Sequence, residues 1–99
     1  MNPLRGEASI RVGGAELLLR PSFAALVAAE GELGSLFALV ERAAAGEMRI
    51  AEIVALFWHC LAEREDVSRE MLGEAVVAQG LGGVTPALTV LLRQILHGQ

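Results

Sequence analysis

The chain has 99 residues, a length that supports one hydrophobic core and not two. Although 54% of the residues are hydrophobic, many of these are Ala, and no apolar run is expected to approach the roughly 18 residues of a membrane span. The net charge is −4, and the eight basic residues are all Arg, scattered at 5, 11, 20, 42, 49, 64, 69 and 93; this leaves no basic patch for phosphate and argues against nucleic acid as a partner.

The N-terminal "MNPLRGEAS" lacks the long apolar region of a secretory signal, so a cytoplasmic location is expected. Lys and Tyr are absent while Ala, Gly, Leu and Arg abound, a bias that points to a GC-rich, bacterial genome. Cys60 is the single cysteine, so neither an internal disulfide nor a Cys-based zinc site is expected. Within an apolar helix it reads as a small core residue.

In chain order, "EASIRV" alternates imperfectly, with Ala8, Ile10 and Val12 on one face and Ser9 and Arg11 on the other. Gly13-Gly14 supplies the positive φ angles of a two-residue hairpin turn, and "AELLLR" returns. On that return strand Leu17 and Leu19 share one face and Glu16 and Leu18 the other, which suggests partial cover on both sides. A lone hairpin is marginal in water, so this one must lie on helices or pair with another chain.

"RPSF" makes a corner: Pro21 holds Arg20 extended, and Ser22 is suited to cap a helix. Phe23, Leu26 and Val27 form its expected inward stripe, with an end near Gly31. Ser35 is the next cap, before Leu36, Phe37, Leu39 and Val40, and Gly46 closes that helix. A glycine inside a helix costs roughly 1 kcal/mol, which favours two helices over one kinked at Gly31–Gly34.

"RIAEIVALFWHCLAER" predicts a central helix whose apolar arc runs through Ile50, Ile53, Val54, Leu56, Phe57, Trp58, Cys60 and Leu61. Glu52, His59 and Glu63 fall on its other side. Ser68 then caps a helix with Met71, Leu72, Ala75 and Val76 inward. "GLGG" at 80–83 reads as a loop, and Thr85-Pro86 as the cap and first residue of a last helix carrying Leu88, Leu91, Leu92 and Ile95. The expected architecture is α+β, a single domain over 1–99: a hairpin at about 6–20 packed on a bundle of about five helices at about 22–97.

Reactive constellations fare poorly. His59 and Glu63 at i, i+4 supply two of the three or four ligands zinc needs, and read better as a solvated polar face. "REDVSREMLGE" is acidic, but Asp66 is the only Asp in the chain and the alternating oxygen ligands of a calcium loop are missing. Ser22, Ser35 and Ser68 read as caps, and Ser9 has no nucleophile setting. Neither glycine-rich stretch follows a strand and opens a helix as a phosphate loop does. The helix after Ser68 lacks the basic face of a recognition helix, and Trp58 reads as a core anchor in preference to an interface anchor. Neither an enzyme activity nor a cofactor is expected.

The pattern of "NPLRGEASIRVGGAELLLRPSFAAL" followed by "EGELGSLFALVERAAAGEMRIAEIVALFWHC" resembles small tail-assembly chaperones of gene transfer agents and related tailed phages, a family sometimes labelled tail tube. The shared features are a Gly-Glu before the first strand, the Gly turn, the Leu-rich return strand, a Phe/Leu helix, and the "E-x-x-L-G-S-L" break. The resemblance covers roughly residues 2–80; the C-terminal third is family-like mainly in being helical. It implies a non-enzymatic protein that binds tail tube or tape measure protein before polymerisation, with a structural tail subunit as the alternative, and it assigns no site residue. From the residues themselves, Leu17, Leu18, Leu19 and Phe23 are the candidate partner-binding set, for self-association or for a client, by strand addition at the hairpin edge.

Overall fold

The computed structural model describes residues 6–98. Two strands, β1 (Ala8–Val12) and β2 (Ala15–Leu19), precede four helices: α1 (Phe23–Leu33), α2 (Leu36–Ala44), α3 (Ile50–Cys60) and α4 (Arg69–His97). The α+β class and the N-terminal hairpin are as expected. The helix count is four among the described residues, because the awaited loop at 80–83 shrinks to one residue. Gly80 alone leaves helical geometry, at φ 80° and ψ 157°, and joins two limbs of α4.

The hairpin forms for the reasons its sequence suggests. Gly13 and Gly14 both take positive φ, 56° and 85°, so a two-residue turn closes with Val12 opposite Ala15. This register places Ala8, Ile10 and Val12 on the buried face together with their partners Leu19 and Leu17. Both edges of the sheet are partly covered. On β1, the Gln79 amide of α4 donates to the Arg11 carbonyl at 2.7 Å. On β2, the chain after α3 runs alongside: Leu61 bridges Leu19, Ala62 N–H donates to the Leu18 carbonyl at 3.0 Å, and Arg20 N–H donates to the Cys60 carbonyl at 2.6 Å.

That third extended segment is also why α3 stops early. "LAER" has good local helix propensity, yet Leu61 gains burial and two neighbouring backbone bonds by turning extended against β2. Glu63 therefore lies in a loop and not one turn beyond His59.

Ser22, Ser35 and Ser68 each accept a hydrogen bond from the backbone N–H three residues on, as N-caps do. In α3 the capping runs backwards, with the Glu52 carboxylate accepting from Arg49 N–H. Thr85 and Pro86 do not start a helix. They lie within the second limb of α4, where the Thr85 hydroxyl donates to the Leu81 carbonyl.

The core is built around α3, whose Ile53, Val54, Ala55, Leu56, Phe57 and Cys60 are all buried. Leu19, Leu39, Leu72, Val76 and Leu91 close over it from the other elements. By length and composition α4 could cross a membrane, and residues 75–92 carry no charge, contrary to the expectation of no such run. The break at Gly80 leaves each limb shorter than the roughly 20 residues a span needs, and Leu72, Val76, Val84 and Leu91 face the core.

Candidate partner-binding surface

The four residues singled out from the sequence do not form one surface. Leu19 is fully buried and belongs to the core, and Leu17 is half-buried on the same face of the sheet. Leu18 is half-buried on the outer face, where its companions are polar. There Ser9 Oγ donates to Glu16 at 2.9 Å, Arg11 approaches Glu16 at 3.4 Å, and Arg20 Nε donates to Glu7 at 2.9 Å. The outer face of the hairpin is thus a polar lattice holding one leucine. With Leu18 C=O and Arg20 N–H already engaged, little of the β2 edge is left for strand addition.

Phe23 is placed differently. It stands at the first turn of α1 and is 85% exposed, with Val27, one turn along, 53% exposed. Of the expected inward stripe, Phe23 and Val27 therefore face outward, and only Leu26 packs against the core. Ala25 and Ala29 are the buried residues of α1, with Leu26 and Leu33 half-buried beside them. Small side chains let α1 sit close on the core, and that phase turns Phe23, Ala24, Val27 and Ala28 outward. A helix apolar on all sides is normally buried on all sides; α1 is apolar on a face that nothing among the described residues covers. Phe37 of α2 is likewise 66% exposed against expectation, while Leu36 and Leu39 are buried.

The polar residues of α3 are tied into tertiary pairs. His59 Nε2 lies 2.8 Å from Glu32 Oε1 of α1, and Arg69 of α4 grips the same carboxylate with two N–H donors at 2.6 and 2.9 Å. Arg64 and Arg69 also lie over the Trp58 ring, 5.1 and 5.7 Å from its centroid. The group staples the ends of three helices at the rim of the core. Trp58, half-buried, serves it as a platform. Arg42 pairs with Glu52 in the same way between α2 and α3. Burial pushes the Cys60 thiol up to about 12, so it stays protonated and inert. Among the described residues no group of three or more His, Cys, Asp or Glu is arranged to hold a metal.

The double hydrogen bond from Arg69, assisted by His59, holds the Glu32 carboxyl at about 2, below its ordinary 4.5. A carboxyl depressed in the folded state contributes stability above its unfolded value and loses it as pH falls from about 4.5 toward 2. The Glu32 side chain is 39% exposed, so solvent screening reduces the contribution to on the order of 1 kcal/mol. Glu32→Gln is expected to lower stability by about that amount at pH 7, with the gap closing as pH falls toward 2. Urea unfolding of both proteins at pH 7, 4 and 2.5 checks this; a gap that is constant with pH would mean the staple is not electrostatic.

Against known proteins, the family model described as "Phage tail tube protein, GTA-gp10" matches residues 5–98. The chain belongs to this gene transfer agent and phage tail family. The match takes in the hairpin, α1 to α3 and both limbs of α4. No curated protein and no solved structure matches the chain. Membership makes tail proteins the class of partner to consider for the exposed face of α1.

Proposed function

We propose that this tail-family protein is a non-enzymatic assembly chaperone or adaptor that binds another tail protein in the cytoplasm of the producing cell. The observation that carries the reading is the apolar face of α1 that the described residues leave exposed, with Phe23 85% and Val27 53% exposed. Apolar surface of that kind on a small domain marks a protein contact. Phe23 presents a large rigid side chain of the type that anchors interfaces. The contacts that already occupy parts of both sheet edges favour a contact through helix faces over a continuous sheet between subunits. Tail tube and tape measure proteins are the clients we assign to it.

The family's description as a tail tube protein favours a second reading, a structural tail subunit that stays in the particle. Particle composition separates the two. A chaperone is required for tails to form and is missing from purified particles, whereas one copy per tube subunit in those particles establishes the structural role. Replacing both Phe23 and Val27 with Asp is expected to abolish capture of tail proteins while leaving thermal unfolding unchanged. Undiminished capture by the double variant removes α1 from either reading.

A further inference from the structure

The first limb of α4, up to Gly80, turns a face to solvent that shares no residue with the α1 contact. Glu70, Gly73, Glu74, Val77 and Ala78 follow one another along it at helical spacing, and Val77 is 65% exposed. On one flank lies a groove of about 530 Å³, which Ile50 at the start of α3 also lines, 45% exposed. On the other flank a recess of about 350 Å³ runs between Met71 and the hairpin turn at Val12 and Gly13. Glu74 and Ala78 border both.

Two features of this face are unfavourable for the helix that carries them. Gly73 is poorer than alanine inside a helix, yet a Cβ there would meet only the Val54 methyl groups, at an ordinary 3.9 Å. Packing among the described residues therefore does not require it, and its bare backbone lets a second helix come close. Glu70 and Glu74 stand one turn apart and repel each other. The helix N-terminus offsets this for Glu70 but not for Glu74. Among the described residues neither makes an ion pair or a side-chain hydrogen bond, not even with Arg49 beside Ile50. Two carboxylates bordering an apolar groove suit cations carried on an apolar helix, and they repel a phosphate backbone or an anionic lipid surface. Met71, 42% exposed, adds a flexible side chain of the kind that adapts to such a helix.

We propose that this face docks a cationic amphipathic helix of a partner protein. Its apolar side chains sit between Ile50 and Val77 over Gly73, and two Arg or Lys side chains one turn apart reach Glu70 and Glu74. The stretch from Glu70 to Ala78 is ~12 Å long, so about two to three turns of partner helix cover it. The proposal rests on the reading that this chain binds another tail protein. It names the chemistry of a second contact, apolar and charged, beside the apolar one at Phe23.

Fluorescence anisotropy on the purified full chain tests it, with a labelled synthetic peptide as probe: an amphipathic helix bearing a leucine stripe and two arginines one turn apart beside it. A matched peptide carries glutamates in place of the arginines. The Arg peptide is expected to bind one-to-one, more weakly as salt is raised, and the Glu peptide not to bind. Val77→Asp, at an exposed position, should weaken Arg-peptide binding roughly tenfold or more with the melting temperature unchanged. Replacing Glu70 and Glu74 together with Arg should reverse the preference, so that the Glu peptide binds. The same charge change at Glu41 and Glu63, both exposed and outside the groove, should leave the affinity for the Arg peptide within about twofold. Absence of Arg-peptide binding, equal losses from the two charge changes, or an unreversed preference overturns the proposal. So does self-association in sedimentation velocity that Val77→Asp removes, which would give the groove to a second copy. No tail protein enters the peptide assay, so its failure is distinct from failure of the proposed function, which capture of tail proteins and particle composition report.

Discussion

Phe57→Ala is expected to lower the unfolding free energy by about 3–5 kcal/mol. Phe57 is fully buried at the middle of α3, the helix against which α1 and α4 pack, and Ile53, Val54, Leu56 and Cys60 around it are buried too. Truncation removes the transfer energy of a phenyl ring and leaves a cavity that the packed elements around it cannot fully close. A domain of this size has a stability of only about 5–15 kcal/mol, so the variant should unfold at a much lower urea concentration with an unchanged slope. Phe37→Ala supplies the contrast. At 66% exposure it should stay within about 0.5 kcal/mol of wild type. His59→Ala falls between the two at about 1 kcal/mol, since it breaks the bond to Glu32; from the helical wheel alone it would be called neutral. Equal losses for Phe57 and Phe37 would place α3 and α2 in the wrong phase.

The parts of the fold legible in the sequence are those set by local physics. Alternation plus two glycines specify the hairpin and its inner face, and serine hydroxyls mark three helix starts. The apolar arc of α3 is wide enough that any small error of phase still buries Phe57. What failed to show depends on partners remote in the chain. Along α1 a reading by side-chain size turns Phe23 inward, whereas close packing on the core selects Ala25 and Ala29. The end of α3 is decided by β2, which takes Leu61 as a neighbour. Glu32 and His59 are 27 residues apart, so their pairing leaves no trace at helical spacing. The polar lattice on the hairpin pairs residues across its two strands, and without it Leu17, Leu18 and Leu19 look like one apolar strip. Of the candidate set, only Phe23 and Leu18 face outward.

Leu19→Lys and Leu18→Lys, adjacent in sequence, should have opposite outcomes. Leu19 is fully buried, opposite Ala8 in the sheet and bridged to Leu61 on its other side. An ammonium group there would enter a core that holds no buried polar or charged residue among the described residues, and so no acid to pair it. The cost of an unpartnered buried charge, about 3–5 kcal/mol, adds to the lost packing of the leucine. Most of the stability of the domain would go, and circular dichroism should show a largely unfolded chain well below the wild-type melting temperature. At Leu18 the side chain leaves the outer face beside Glu16, and the ammonium stays in water near a carboxylate. The change should lie within about 1 kcal/mol of neutral, because the backbone bond from Ala62 to the Leu18 carbonyl is indifferent to the side chain. Leu18→Lys is therefore the variant that reads the hairpin's share in partner binding with folding held constant. With the apolar contact placed on α1, it should reduce capture of tail proteins far less than the loss of Phe23 and Val27 does. If Leu18→Lys abolishes capture while its melting curve is unchanged, the hairpin and not α1 is the principal contact, and the partner reaches β2 across its polar face.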